Sequence, residues 1–136
     1  MIIVDSDEMS LIDVSASETF RYPALLLMEN AGLNCYSYLE KNILSGQSNE
    51  KVLFICGSGN NGGDGLVMAR HHFLRGRRAA VIMTGKIPET GISGENFILC
   101  KNLGIKIIEY TKDKDKAVKE IEESALIVDA VSGTGL

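Results

Sequence analysis

No apolar run in this sequence approaches the roughly 18 residues that a membrane-spanning helix needs. The start, Met1-Ile2-Ile3-Val4-Asp5-Ser6-Asp7-Glu8, has neither the basic stretch nor the long apolar stretch of a secretory signal. Membrane and exported classes are therefore not expected, and the cytoplasm is. Cysteine is sparse: Cys35, Cys56 and Cys100 are odd in number and far apart, which excludes a closed disulfide framework and any CxxC zinc or redox pair. Free thiols of this kind suit a reducing compartment. Positive charge is short as well. Fourteen Lys and Arg against 18 Asp and Glu leave a net charge of −4, the wrong sign for nonspecific nucleic-acid binding. Internal repeats and low-complexity stretches are absent. What remains is a 136-residue chain with the size and balance of one soluble domain.

The first 46 residues read as helical. Asp5 followed by Glu8 has the spacing of a helix-capping pair, and Met9, Leu11, Ile12 and Val14 form a mostly apolar stripe behind it. Pro23 suits the opening of a second helix, where a missing N–H costs nothing, and helical spacing runs over 25–44 until Ser45-Gly46. Such a pair must bury its stripe against the domain body or another subunit. From Lys51 onward the rhythm changes. A continuous apolar run at 52–56 predicts a strand buried on both faces, short apolar-rich runs at 79–83, 105–110 and 125–130 predict three more strands, and helices are predicted between them near 66–77, 95–103 and 114–123. Alternation of this kind means βαβ units and a parallel sheet: a Rossmann-like three-layer α/β/α fold in residues 51–136, preceded by the N-terminal helices, in one domain over 1–136. The last strand runs into a glycine-rich turn with no helix to cover it. The expectation is a domain that is incomplete at its C-terminus.

Between the first strand and its helix lies Cys56-Gly57-Ser58-Gly59-Asn60-Asn61-Gly62-Gly63-Asp64-Gly65, with five glycines in nine positions from Gly57 to Gly65. Bare backbone at a helix N-terminus presents N–H groups and dipole charge to phosphate oxygens. Glycines are expected here for positive φ as well as for access. The loop is not a Walker A element, because Gly63-Asp64 stands where Lys-Ser/Thr would be. GxGxxG is present as Gly57, Gly59 and Gly62. However, the acidic residue expected about 20 positions later is replaced by Thr84-Gly85-Lys86, which disfavours a standard NAD dehydrogenase. With strand order 3-2-1-4, the loops after strands one and four share the crevice where such sheets bind ligands. Asn60, Asn61, Asp64 and Asp129 would then offer hard oxygen ligands, suited to Mg²⁺, Ca²⁺ or K⁺ and not to zinc. Asp129 could equally be a cap.

These residues, with Leu66-Val67 and Ala69-Arg70-His71 after them, resemble the signature of the NAD(P)H-hydrate epimerase (YjeF N-terminal) family. Leu27-Met28-Glu29-Asn30-Ala31-Gly32 upstream, and Val128-Asp129-Ala130 through Gly133-Thr134-Gly135-Leu136 downstream, resemble its other two landmarks. The resemblance implies interconversion of the R and S forms of hydrated NADH or NADPH (NADHX, NADPHX), a repair step that feeds a dehydratase. It implies contacts to the hydrated nucleotide from Asn60, Asn61, Gly62, Gly63 and Asp64 and from Gly133, Thr134, Gly135 and Leu136. It further implies a potassium ion held by Asn61 and Asp129, and a homodimer through the N-terminal helices. Family members carry proline at the position of Ser58 and a bulky apolar residue at that of Ser132. They also continue to a strand with an Asp-x-Pro-Ser-Gly type segment, whose acidic residue is not in this sequence. Asp64 is then the proton carrier available within the chain, since epimerisation at a carbinolamine-like carbon needs a group that exchanges a proton near neutral pH. Two alternatives stand beside this reading: a non-catalytic nucleotide-binding or scaffold module of the same fold, as in decapping-enhancer relatives, and the N-terminal piece of a bifunctional epimerase/dehydratase.

Other charged residues are read more plainly. Adjacent His71 and His72 point about 100° apart on a helix and form no metal pair. Arg75, Arg77 and Arg78 complement a helix C-terminus. Lys86 ends the second strand on the ligand side and could reach a phosphate. Lys112, Lys114, Lys116 and Lys119 read as a solvated helix face, and Cys56 as a small buried residue. Asn30 could face the site or a subunit seam.

Overall fold

The structure is a computed structural model that describes residues 4–44 and 50–133. Helix α1 (Ser6–Glu18) begins with the capping box foreseen from Asp5 and Glu8. The Asp5 carboxylate accepts from the Asp7 and Glu8 amides at 3.0 and 2.9 Å, and Glu8 returns the bond to the Asp5 amide at 3.1 Å. Pro23 caps α2 (Ala24–Asn42) in extended backbone, one residue ahead of the first helical turn. The Ser45-Gly46 stop lies outside the described residues. Beyond it run β1 (Val52–Cys56), α3 (Asn60–Leu74), β2 (Ala79–Met83), α4 (Gly91–Asn102), β3 (Lys106–Glu109), α5 (Lys114–Glu122) and β4 (Leu126–Ala130).

The four strands are parallel in the order β3-β2-β1-β4. This is the doubly wound pattern expected from the alternation. Chain progress runs outward from β1 to β3 and then returns to the other side of β1, so the crossovers change face at β1/β4. The strand period of two sorts the side chains accordingly. Val52, Phe54, Cys56, Val81, Met83 and Ala130 pack beneath the α2, α3 and α4 layer. Leu53, Ala80, Ile82 and Ile108 meet Ala117 of α5 on the opposite face. That second face is covered only at the β2–β3 side among the described residues, and Ile127 of β4 remains 42% exposed.

The two N-terminal helices differ. The apolar stripe of α2 buries Met28, Gly32, Tyr36 and Leu39, and α2 lies close against α3 because Gly32 has no side chain: a Cβ there would stand 2.5 Å from that of Val67. Helix α1 buries no residue, and Leu11 is 70% exposed. The domain body thus accounts for the stripe of α2 but not for that of α1. Among the described residues no helix is long and apolar enough to cross a membrane.

Candidate active site

The glycine loop differs from expectation in two ways. Helix α3 starts at Asn60, six residues ahead of the predicted 66, so Asn60-Asn61-Gly62-Gly63-Asp64 forms its opening turns and not a loop before it. The apolar periodicity begins only at Leu66, which is why the start was hidden. Nor do the loop glycines adopt positive φ; in the described chain that belongs to Gly76, Gly91 and Gly104. Their requirement is close approach. A Cβ on Gly57 would stand 2.0 Å from the Val131 carbonyl oxygen, and one on Gly62 would stand 2.0 Å from that of Gly57. Gly63 presses against the Met28 sulfur and the Ser93 hydroxyl, and Gly65 against Ala130 and Cys56. Bare backbone lets α3 descend onto the β1 and β4 ends and onto α2 at once.

Gly59 caps α3 without any side-chain hydrogen bond, and Ser93 holds the loop by donating to the Gly59 carbonyl at 3.1 Å. The first N–H groups of α3 therefore keep their dipole charge free of side-chain competition at the carboxyl end of the sheet, where the two crossover directions meet.

The helical turn then divides the polar residues. Asn60 and Asp64, four apart, share one face and line a cavity of about 360 Å³ between α3, α1 and α2, together with Asp13, Glu18 and the apolar Leu27, Met28 and Ile92. Asn61 turns the other way: its Nδ2 donates to the Ser132 carbonyl at 3.0 Å, and its Cβ and amide oxygen lie beside Gly133. Asp129 is exposed and stands on the sheet face away from α3, in register with Ile55. Its Oδ1 accepts the Val131 amide at 2.9 Å, closing a turn on its own loop. No helix follows within the described residues for it to cap. The structure therefore joins Asn61 to the β4 loop and places Asn60 and Asp64 in a separate cavity. It shows no single four-residue cluster. Thr134, Gly135 and Leu136 lie outside the described residues.

Around Asn61 the oxygen ligands shown are its own amide oxygen and the Ser132 carbonyl. No group of three His, Cys, Asp or Glu side chains suited to a transition metal exists among the described residues. That chemistry fits a weakly held alkali cation. Asp64 has neither an ion pair nor a side-chain hydrogen bond among the described residues. Burial, then the nearby Asp13 charge, push its carboxyl from the ordinary 3.8 up to about 6. Asp13 and Glu18 carried no signal in the sequence, because only the packing of α1 against α2 brings them to the cavity.

The remaining residues are structural. Glu29 accepts from Arg70 and from His71 (2.7 Å), and Arg70 also reaches Asn96, which ties α2, α3 and α4 together. Burial works against the Glu29 charge, but these bonds outweigh it and hold the carboxyl below its ordinary value. His72 is 1% exposed, beneath Tyr36 and Phe54, and meets the Tyr36 hydroxyl at 3.3 Å. Burial, with the Arg77 charge, brings its pKa down to about 4. Arg75 and Arg77 pair with Glu40 on α2, more than a dipole role requires. Asn30 donates to the Tyr22 hydroxyl at 3.2 Å and does not touch the glycine loop.

Residues 24–136 match the family described as YjeF-related protein N-terminus. The chain is 35% identical over 139 residues to the bifunctional NAD(P)H-hydrate repair enzyme Nnr of Moorella thermoacetica, which aligns with 99% of this chain and 26% of that protein. It is 34% identical over 139 residues to the NAD(P)H-hydrate epimerase of Anaerococcus prevotii, covering 100% of this chain and 62% of the relative. The crystal structure of yeast ynu0, YNL200c, superposes with a TM-score of 0.82 at 26% identity, over 100% of this chain and 58% of the yeast chain. The chain thus spans less than two thirds of each of these relatives.

Proposed function

Because this chain belongs to the YjeF-related protein N-terminus family, we propose that it interconverts the R and S epimers of hydrated NADH or NADPH. Relatives named NAD(P)H-hydrate epimerase support the reading, as do those named bifunctional NAD(P)H-hydrate repair enzyme. One structural observation carries it: the intact Asn60-Asn61-Gly62-Gly63-Asp64 opens α3 beside a cavity in which Asp64, with no cation partner among the described residues, has its carboxyl pushed up to about 6. The free N–H groups of α3 bind the anionic nucleotide, and Gly62 and Gly63 let it approach the backbone. Gly133, Thr134, Gly135 and Leu136 supply further contacts to it. Asp64, near half-protonated at pH 6, gives and takes the proton as the hydroxyl-bearing carbon inverts. Asn61 and Asp129 would hold a potassium ion, which would supply positive charge against the phosphates.

The exposed stripe of α1, from Met9 through Val14, supports a homodimer through the N-terminal helices. Sedimentation equilibrium should then give twice the chain mass, and a monomer at all concentrations would remove this part of the proposal. The product is a substrate for a dehydratase, and the bifunctional relatives support that pairing.

The test is interconversion of R- and S-NADPHX by this chain in potassium and again in lithium. Turnover in potassium that fades in lithium is expected. Absence of turnover in both would overturn the claim that these 136 residues suffice.

A further inference from the structure

Past the glycine loop, at the carboxyl ends of β2 and β3, lies a larger groove of about 1040 Å³. Its apolar lining includes Phe97 and Ile107, both half-buried, and its rim carries Lys86, Lys101, Lys112 and Lys116. It comes next to the glycine loop at Gly85 and Ser58. Gly85 lines the groove, and its Cβ position lies 3.4 Å from the Ser58 hydroxyl, so no side chain walls the groove off from the glycine loop. Thr84, next to it, donates from its backbone to the Cys56 carbonyl at 3.0 Å and keeps the two loops together.

In sheets of this topology the first glycine loop takes the pyrophosphate, and the residue ending β2 meets the adenosine ribose. An acidic residue there bonds a free 2′-hydroxyl and repels a 2′-phosphate; a cation reverses the preference. Here the position holds Thr84-Gly85-Lys86 and no carboxylate. The carboxylates nearby are Glu89, Glu109 and Asp113, one fewer than the lysines. They pair with Lys86 (3.9 Å), Lys112 (2.7 Å) and Lys116 (2.5 Å) in highly exposed contacts, and Asp113 also caps α5. Exposed pairs of this type contribute little, so a phosphate dianion displaces them readily.

We propose that this groove holds the adenosine 2′-phosphate of the hydrated nucleotide, with Lys86 and Lys112 as its cations and Phe97 and Ile107 beneath the adenine, so that the chain selects NADPHX over NADHX. The inference rests on the epimerase reading for its natural substrate, but its test does not require turnover. Isothermal titration of the chain with 2′,5′-ADP, 5′-AMP and inorganic phosphate isolates the one group in question. Binding of 2′,5′-ADP about tenfold or more tighter than 5′-AMP is expected, the return on one charge-assisted contact. The variant Lys86→Ala with Lys112→Ala should erase that ratio and leave 5′-AMP unchanged. These side chains are 84% and 72% exposed, so their loss leaves the fold intact, checked by circular dichroism. Equal binding of the two nucleotides, no binding of either, a ratio that survives both substitutions, or phosphate alone matching 2′,5′-ADP would each overturn the proposal. Equal binding in a chain that turns over NADPHX defeats only this inference; discrimination without turnover defeats only the epimerase reading.

Discussion

At the amino end of the sheet Lys51 stands at the start of β1 between Glu120 (2.8 Å) and Glu123 (3.0 Å), and Lys106 at the start of β3 joins Glu120 from the other side. Glu120 is only 1% exposed, yet its carboxyl stays below the ordinary value because the bonds from Lys106 and Lys51 outweigh its burial. At the carboxyl end Asp64 is half-buried with no cation, and its neighbours Asp13 and Glu18 carry its own sign. A carboxyl group is thus held ionised in one place and pushed towards its protonated form in the other. Burial alone distinguishes neither; the partner does. A buried charge with cations stabilises a fold, whereas one left without them is held at the expense of stability, as reactive sites are.

Asp64→Asn should break the contrast with the largest effect. Turnover of NADPHX is expected to fall by about 10²–10⁴, the usual contribution of a general acid–base group. Stability at pH 7 should rise. The folded carboxyl, raised to about 6, keeps its proton between roughly pH 4 and 6 where the unfolded one has lost it, so the wild-type chain loses stability as pH rises through that window. Removing the titration returns on the order of 1 kcal/mol for this partly exposed group. A variant that keeps full activity would show that the proton is carried elsewhere. Urea denaturation at pH 5 and 7 reads the stability.

Glu120→Ala tests the opposite end. Leaving Lys51 with the half-exposed Glu123 as its remaining carboxylate should cost at most about 3–5 kcal/mol in a urea titration, while kcat of the folded fraction stays unchanged. The wild-type contribution is present above pH 4.5 and is lost as pH falls through the lowered folded value.

His72 sharpens the comparison from the core. Its folded pKa of about 4 lies below the ordinary 6.5, so the unfolded chain takes up a proton that the folded one refuses. Stability should therefore fall as pH drops from 6.5 towards 4, by up to about 3 kcal/mol. A His72→Gln variant with the same pH slope would assign that loss to other groups. The smallest effect is expected at Glu123→Gln, where one partner is half exposed: a slight loss in a urea titration that shrinks further in high salt.

Much of this could be read from the residues in order. Short apolar-rich runs marked all four strands to within two residues at each end, continuous in the buried central strands β1 and β2 and broken by Lys106, Glu109 and Asp129 in the edge strands β3 and β4. The strand order followed from the alternation of elements, and Asp5 with Glu8 announced the first helix. The start of α3 did not follow, because its first turn is glycine and asparagine, weak helix formers that α2 and the sheet hold in place. Nor did the role of the glycines: a glycine needed for a turn and one needed because a carbonyl passes 2 Å from its absent Cβ are identical in sequence.

The sequence by itself determined the α/β class, the parallel order and the position of the glycine loop, since these rest on local periodicity and on which residue types can occupy a strand or a tight turn. Only the tertiary structure decided that Asn60 and Asp64 part from Asn61, that Asp13 raises Asp64, and that Lys51 and Glu120 meet across 69 residues of chain. Each depends on distance and desolvation between segments remote in sequence, and no spacing along the chain encodes either quantity.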